Sequence, residues 1–216
     1  EYIAIETLRK KYPHHKFTGE ESGSSTLLDA EYEWVIDPID GTTNFTRLLP
    51  NFCVSIACLH RGKIEHGVIL DPIRQEEFVA SRGKGCTLNG KRIRVSAHEK
   101  LAGALISSGN QGQDRYTEED AGLYRHLLQS NCLTRQSGCV GLDLAYIAAG
   151  RLDGLYLRGL ETWNMAAGIL LITEAGGLVG DMDGGANPMG KGSLIAGSPK
   201  CFKQISLLLR KYLQTD

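Results

Sequence analysis

The chain has 216 residues and nearly balanced charge, with 24 lysines and arginines against 25 aspartates and glutamates and a net charge of -1. This balance argues against general attraction to nucleic acid or to an anionic membrane, and no apolar run reaches the ~18 residues of a membrane span, so we expect none. The length is enough for one large domain or two small domains that share a core, and a hydrophobic fraction of 42% is ordinary for a globular protein.

The first half of the chain is predicted to be rich in strands. Apolar residues recur at helical spacing from Ile5 to Tyr12, and Pro13 is expected to end that helix. Asn89-Gly90 is the dipeptide of a tight hairpin turn. Strands are predicted at residues 16–18, 32–36, 54–59, 64–70, 77–81 and 92–95. Their succession indicates an antiparallel or mixed sheet.

After residue 97 the pattern changes to alternating strands and helices. Helices are predicted at residues 118–129, 141–149, 165–175 and 199–213, and strands at residues 104–107, 132–135, 155–157, 178–180 and 194–196. Such alternation indicates helices that cover a sheet. We therefore predict a mixed α/β (α+β) fold with an N-terminal part, residues 1–100, and a C-terminal part, residues 101–216, that form one integrated unit.

The six cysteines show no pattern of a metal knuckle or a disulfide framework. They lie at positions 53, 58, 86, 132, 139 and 201, form no CxxC pair and have no histidine at zinc-finger spacing. In a chain of this length, scattered cysteines are more often reduced and buried than bridged. We therefore expect free thiols and a cytoplasmic location.

The most informative stretch is residues 34–45, WVIDPIDGTTNF. Its two carboxylates, Asp37 and Asp40, lie where the predicted strand stops at Asp37-Pro38, and carboxylate oxygens are the ligands that Mg²⁺ prefers. Gly41 allows a tight turn, and Thr42 is expected to begin a helix whose first backbone N–H groups and positive dipole end suit a phosphate. The stretch therefore predicts a cation site and a phosphate site side by side.

Each of these residues also has an ordinary structural explanation. Asp-Pro and Asp-Gly are common turn dipeptides, and threonine is a common helix N-cap. Glu20 and Glu21 fit a solvated turn as well as a cation site. Residues 161–168 fit a capped helix with close packing. The combination is nevertheless more specific than any single dipeptide.

Three segments together resemble the inositol monophosphatase family. They are GEES at residues 19–22, WVIDPIDGTTNF at residues 34–45, and WNMAAG at residues 163–168, which stands where the family has WDxAAG. Supporting matches are GVILDP at residues 67–72, LNG at 88–90, GLDLA at 141–145 and EAGG at 174–177. The resemblance implies a layered αβαβα sandwich, usually a homodimer, and a Mg²⁺-dependent phosphomonoesterase acting on inositol monophosphate or a similar small phosphate monoester.

The resemblance also implies roles for individual residues. Glu20 and Asp37, with the Ile39 carbonyl, would bind a first magnesium, and Asp37 and Asp40 would hold a second, completed by Asn164. Thr42, paired with Glu20, would orient the attacking water. The substrate and its phosphate would be bound by Asp40, Gly41, Thr42, Gly138 and Val140.

Three features depart from the family pattern. Position 164 is asparagine instead of aspartate, so its amide oxygen can ligate a cation but brings no charge. Leu157 stands where active members often carry a glutamate that contacts the inositol ring, and leucine cannot accept a hydrogen bond. The sequence begins at Glu1, without the family's metal-site residues that precede the first helix.

Two functions therefore remain open. The intact acidic motifs favour a Mg²⁺-dependent phosphatase that acts on a small phosphate monoester and is impaired by Asn164. Asn164 and Leu157 favour a catalytically weakened protein that acts as a regulatory or binding protein in RNA synthesis, as bacterial relatives do. Only this alternative implies nucleic-acid machinery as a partner.

Overall fold

The structure, a computed structural model, describes residues 1–25, 27, 30–111 and 117–213. Its helices are α1 (Tyr2–Lys11), α2 (Thr42–Thr46), α3 (Glu118–Gln129), α4 (Val140–Ala148), α5 (Thr162–Glu174) and α6 (Pro199–Leu213), with a 3₁₀ turn at Pro188–Gly190. In the part of the chain that is described, none of these helices combines the length and the apolar character that crossing a bilayer requires.

The first sheet has eight strands in the order β2-β1-β3-β4-β5-β6-β7-β8. These are β1 (Lys16–Gly19), β2 (Gly23–Ser24), β3 (Tyr32–Asp40), β4 (Cys53–His60), β5 (Lys63–Asp71), β6 (Glu76–Ser81), β7 (Gly85–Leu88) and β8 (Lys91–Arg92). All neighbours are antiparallel except β1 and β3, which are parallel. The predicted Asn89-Gly90 turn joins β7 to β8, and both residues have the positive φ of that turn, 47° and 76°.

The second sheet has five strands in the order β10-β9-β11-β13-β12. These are β9 (Leu105–Asn110), β10 (Leu133–Arg135), β11 (Gly154–Arg158), β12 (Leu178–Gly180) and β13 (Ser193–Gly197). The first three strands of that order are parallel, and β13 and β12 add antiparallel pairs at the other edge. The second sheet therefore contains both parallel and antiparallel pairs. Parallel strands need a crossover connection such as a helix, whereas antiparallel neighbours can be joined directly.

Helices α4 and α5 fill the space between the two sheets. The largest buried cluster joins side chains of both helices to Ile69 and Phe78 of the first sheet and to Leu155 and Leu157 of the second. Tyr156, between those two leucines in β11, lies on the other face and packs in a second cluster with α3 and α6. This alternation follows from the period of two of a strand.

The outer face of the first sheet is covered by α1. Ile5 of this helix forms a third buried cluster with Phe17 of β1 and Ile36 of β3. The layers are therefore α1, the first sheet, α4 with α5, the second sheet, and α3 with α6. This order confirms the predicted αβαβα sandwich. The division into parts at residues 1–100 and 101–216 stays a prediction.

Two strand predictions need correction. Strand β3 does not stop at Asp37-Pro38 but continues to Asp40, with a shift of register between Asp37 and Asp40 opposite β4. Proline has no N–H for a sheet ladder, and a bulge removes the need for one. The strand predicted at residues 92–95 is only Lys91–Arg92, because the Val95 N–H donates to the Ala175 carbonyl beyond α5 (3.2 Å) and the chain leaves the sheet.

Candidate functional site

The bulge at the end of β3 brings two carboxylates to one place. Asp37 pairs with Ser55 and Asp40 with Cys53, so Pro38 and the residue after it are pushed out of register. Both aspartates are buried, with 0% and 6% of their surface exposed. A bulge turns two side chains to one site where a regular strand would alternate them. The acidic motif is therefore built by an irregularity in the strand.

Glu20 reaches the same site from the neighbouring strand. Because β1 runs parallel to β3, the residue after Gly19 lies beside the end of β3, and the Glu20 N–H donates to the Ile36 carbonyl (3.3 Å). Glu20, Asp37 and Asp40 line one cavity. The structure thus brings together the three carboxylates that the sequence predicts for a cation site.

Asp37 has an unusual environment for a buried carboxylate. Its Oδ2 accepts a hydrogen bond from Asn164 Nδ2 at 3.0 Å, whereas its Oδ1 is buried and has no hydrogen-bond partner among the described residues. A buried acceptor without a donor costs ~1–3 kcal/mol or more. A cation at this oxygen would remove that cost, so the donor set fits a metal such as Mg²⁺.

The electrostatics of the cluster indicate the same need. Burial and the charges of Asp40 and Glu20 together raise the pKa of Asp37 to about 8, although the hydrogen bond from Asn164 lowers it. Like charges close together in a poorly solvated site disfavour ionisation. A divalent cation would reverse this balance and keep the carboxyl groups ionised at neutral pH.

Asp40 is held from behind by the beginning of α4. Its Oδ2 accepts a hydrogen bond from the Gly141 N–H and lies near the thiols of Cys139 and Cys53, at 3.4 Å and 3.8 Å from the two sulfurs. Burial raises the pKa of Asp40, although the Gly141 N–H and the Cys139 thiol oppose the shift. One oxygen of this carboxylate is therefore fixed by the protein.

Asn164 is the third residue of α5 and uses both ends of its amide. Its Oδ1 accepts from the Glu161 N–H at 3.0 Å as part of a capping box, and its Nδ2 faces Asp37. In this arrangement the amide nitrogen is a neutral hydrogen-bond donor to the carboxylate cluster, and the amide oxygen caps the N-terminus of α5. The predicted role of Asn164 as a metal ligand needs the amide to turn, and it stays a prediction.

Two helix beginnings and two glycines lie where the sequence predicts a phosphate site, and phosphate binding there stays a prediction. Gly41 is the left-handed N-cap of α2, with φ 93°, and a Cβ there would lie 2.9 Å from the Asn51 carbonyl oxygen. Only glycine fits that position. The Thr42 hydroxyl donates to the Ile39 carbonyl at 3.1 Å. Gly138 and Val140, before and at the start of α4, line the same cavity, and the Gly138 carbonyl oxygen would lie 3.3 Å from a Cβ at Gly41.

The cavity has a volume of about 780 Å³, and every residue of the predicted site lines it. Its lining also includes residues that the sequence interpretation did not select, namely Thr43, Gln111, Gly159, Leu160, Glu161, Trp163, Lys191 and Gly192. Of these residues, only Lys191 could have been selected from the sequence. It stands between Gly190 and Gly192, where its ammonium group can approach an anionic ligand. It forms an exposed ion pair with Asp183 at 3.3 Å.

Leu157 lies in the core and does not enter this cavity. It is 2% exposed and packs in the cluster between the sheets, where its position in β11 turns it toward α4 and α5. It also lines a neighbouring polar cavity of about 230 Å³ together with Ser107, Ser108 and Asp143. A leucine here adds apolar surface to the neighbouring cavity and offers no acceptor to a hydroxyl.

All six cysteines are free and buried, as the sequence predicts. What the sequence does not predict is the contact of two of them with Asp40. A hydrogen bond from Cys139 lowers the pKa of Cys53, but burial and the charges of Asp40 and Asp37 bring it to about 11. Burial likewise raises the pKa of Cys139. Both thiols therefore carry their protons at neutral pH.

Two buried aspartates and the exposed Glu20, beside helix beginnings and inside an αβαβα sandwich, form the arrangement expected of a phosphatase-type fold with a cation site. A family model for the inositol monophosphatase family matches residues 1–214. The chain therefore belongs to the inositol monophosphatase family, as the sequence resemblance indicates.

Relatives with known sequences and structures cover nearly the whole chain. A protein of Pseudomonas aeruginosa named Nus factor SuhB is 46% identical over 99% of this chain and 80% of its own length. The Escherichia coli protein of the same name is 43% identical over 99% of this chain and 80% of its own length.

Solved structures agree with the fold. The extragenic suppressor protein suhB of Bartonella henselae superposes with a TM-score of 0.93 at 38% identity, over 97% of this chain and 81% of that one. An inositol monophosphatase of Anabaena superposes with a TM-score of 0.92 at 36% identity, over 97% of this chain and 84% of that one.

Proposed function

We propose that this protein is a Mg²⁺-dependent phosphomonoesterase that hydrolyses inositol monophosphate or a similar small phosphate monoester. The observation that carries the proposal is the buried Asp37 Oδ1, which has no donor among the described residues and lies in a cluster with two further carboxylates. A cluster of this kind requires positive charge. Membership of the family and the similarity to the Anabaena inositol monophosphatase support a phosphatase function for this cluster.

Five residues would hold the cations. Glu20, Asp37 and the Ile39 carbonyl would bind one magnesium, and Asp37, Asp40 and Asn164 would bind a second. Bound there, Mg²⁺ would neutralise the phosphoryl oxygens and help ionise the attacking water. The pKa of Asp37, raised to about 8 without a cation, indicates that the protein alone does not supply the charge that this carboxylate needs.

The chain itself would hold the phosphate and orient the water. The backbone N–H groups of Gly41 and Thr42, at the left-handed start of α2, would face the phosphoryl oxygens. Gly138 and Val140 would complete the seat from the beginning of α4, whose dipole is positive at that end. The hydroxyl of Thr42 and the carboxylate of Glu20 would hold the water in line with the ester bond. No side chain has to form a covalent intermediate.

Asn164 is expected to make this activity weak and dependent on high Mg²⁺. A neutral amide contributes less to the binding of a hard divalent cation than a carboxylate. In the structure the amide oxygen is also engaged with the Glu161 N–H, so it must turn before it can ligate. Both effects lower the occupancy of the second cation.

The test is phosphate release from a panel of monoesters, including inositol monophosphate, with and without Mg²⁺. Glu20→Gln should abolish Mg²⁺-dependent release, and Glu21→Gln should retain it, because both glutamates are exposed but only Glu20 lines the cavity. The same charge is removed in both variants, so the pair separates the cation site from general electrostatics. If no monoester is hydrolysed at any Mg²⁺ concentration, the proposal is wrong.

A regulatory function in RNA synthesis is the second candidate. The name Nus factor SuhB of relatives at 43% and 46% identity favours it, as does the amide of Asn164 in place of a charged ligand. The test adds the wild-type protein or Asp37→Asn to a purified transcription reaction. An equal effect of both would support a role independent of hydrolysis, and no effect of either would exclude it. A homodimeric state and a cytoplasmic location stay predictions.

A further inference from the structure

A second group of metal-ligating side chains lies directly behind the carboxylate cluster. Asp40, Cys53 and Cys139 are buried, and each offers one ligand atom within 4.8 Å of the other two. Cys139 Sγ lies 3.4 Å from Asp40 Oδ2 and 3.6 Å from Cys53 Sγ, and Cys53 Sγ lies 3.8 Å from the same oxygen. Two ligands at ~2.3 Å from one tetrahedral zinc lie about 3.8 Å apart, so these separations need little change to hold an ion.

The group contains more hydrogen-bond acceptor atoms than the Cys139 thiol can donate to. Cys139 Sγ faces three acceptor atoms, namely Asp40 Oδ2, the Asp40 carbonyl oxygen at 3.4 Å and Cys53 Sγ. A thiol has a single proton and is a weak donor, so it can serve only one of them at a time. A cation attracts the carboxylate oxygen and both sulfurs at once.

The backbone leaves space for this group and connects it to the cavity. A Cβ at Gly141 would lie 2.7 Å from Cys53 Sγ and 3.0 Å from Asp40 Oδ2, so a larger residue there would displace the ligand atoms. Asp40 also lines the large cavity, as do the neighbours of Cys139 on both sides, Gly138 and Val140. The group therefore lies directly behind the wall that these residues form.

We propose that Asp40, Cys53 and Cys139 form a binding site for one soft or borderline divalent cation, such as Zn²⁺ or Cd²⁺, which shares only Asp40 with the magnesium cluster. Thiolate sulfur selects such cations, whereas Mg²⁺ prefers oxygen. On binding, both thiols release their protons to solvent and each sulfur forms a bond to the cation. Two protons are exchanged for one divalent ion, so the net charge of the buried group does not change. Binding therefore adds no uncompensated buried charge.

Occupation of this site would affect the magnesium cluster through Asp40. A cation bound to Asp40 Oδ2 would withdraw negative charge from the carboxylate and compete for it with the second magnesium. If the proposed phosphatase function is correct, Zn²⁺ or Cd²⁺ should therefore raise the Mg²⁺ concentration needed for half-maximal activity. Cys53→Ala should reduce that effect. The binding site itself does not depend on the proposed function.

The experiment is a Cd²⁺ titration of the whole reduced chain, followed by the ultraviolet charge-transfer absorption that appears only when thiolates bind cadmium. The reductant contains no thiol, and titration of the denatured protein first verifies all six free thiols. The variants are Cys53→Ala, Cys139→Ala and the double substitution. Cys86→Ala is the matched control, because Cys86 is also buried but lies on β7 outside the group. Circular dichroism verifies that each variant is folded.

The expected result is a band in the wild type that saturates at one Cd²⁺ per chain and disappears when Zn²⁺ is added. Each single alanine variant at positions 53 and 139 should lose half of the band or more, the double variant should lose all of it, and Cys86→Ala should keep it. A wild type without the band, or a double variant that keeps it, would overturn the proposal. Neither result depends on phosphatase activity, so a failure here is distinct from a failure of the proposed function.

Discussion

Replacing Asn164 with aspartate changes the charge of the site while preserving the helix end that holds it. The aspartate can still accept from the Glu161 N–H, as the third residue of a capping box does. The hydrogen bond from the amide to Asp37 Oδ2, 3.0 Å long, is lost and is replaced by the approach of two carboxylates. We therefore expect opposite effects on stability without and with a cation.

The magnitude follows from that one contact. At a pH above about 8, where Asp37 is ionised without a cation, its hydrogen bond from the amide contributes ~1.5–3 kcal/mol, and repulsion between carboxylates adds to the loss. For a chain of this size each kcal/mol changes the Tm by ~2–4 °C, so Asn164→Asp should lower the Tm in EDTA by roughly 3–12 °C. In Mg²⁺, tenfold tighter binding would return ~1.4 kcal/mol. The phosphatase rate should rise by roughly ten- to a hundredfold.

The assay is thermal unfolding across a Mg²⁺ titration, run with phosphate release from inositol monophosphate on the same samples. Asn164→Ala is the control, because it removes the amide without adding charge and should show the loss in EDTA without the gain in Mg²⁺. If Asn164→Asp has the Tm of the wild type in EDTA and the same Mg²⁺ dependence, position 164 does not act on the cluster. If stability responds to Mg²⁺ but both forms remain inactive, Leu157 becomes the better explanation.

Two further predictions concern the buried carboxylate and the phosphate seat. The pKa of Asp37 is raised from 3.8 to about 8, so its protonated form stabilises the fold at low pH, and this stability is lost as the pH rises toward about 8. The Tm in EDTA should fall over that range, Asp37→Asn should remove this component, and saturating Mg²⁺ should flatten the profile; an unchanged pH profile in the variant would contradict the assignment. Gly41→Ala should destabilise the protein by ~1–3 kcal/mol and abolish phosphate binding, because of its φ of 93° and the Asn51 carbonyl oxygen 2.9 Å from the new Cβ. Gly62→Ala, at φ 76° with open space around it, should cost less in thermal unfolding and leave phosphate binding intact, and equal losses in both variants would refute the steric argument.

Local features of this protein could be predicted from the sequence because they depend on neighbouring residues. The helices at Glu118–Gln129 and Pro199–Leu213 match the predicted ranges, since apolar spacing and capping residues fix both ends. The Asn89-Gly90 turn needs positive φ at two adjacent positions, and its residue types supply it. The acidic motif of residues 34–45 can be predicted for the same reason, whereas the layered fold follows only from the resemblance to the family.

Contacts between distant parts of the chain were decided only by the tertiary structure. Glu20 meets Asp37 because β1 pairs with β3 in parallel, and this register cannot be read from either strand alone. The Asn164 oxygen accepts a hydrogen bond from the Glu161 N–H at the N-terminus of α5, and its Nδ2 donates to Asp37. This orientation of the amide depends on where the helix begins relative to the sheet. Cysteines 53 and 139 meet at Asp40 because α4 packs against the first sheet. Sequence patterns predict local conformation and burial because these depend on neighbouring residues. Which partner each buried polar atom contacts is determined only when the layers pack together.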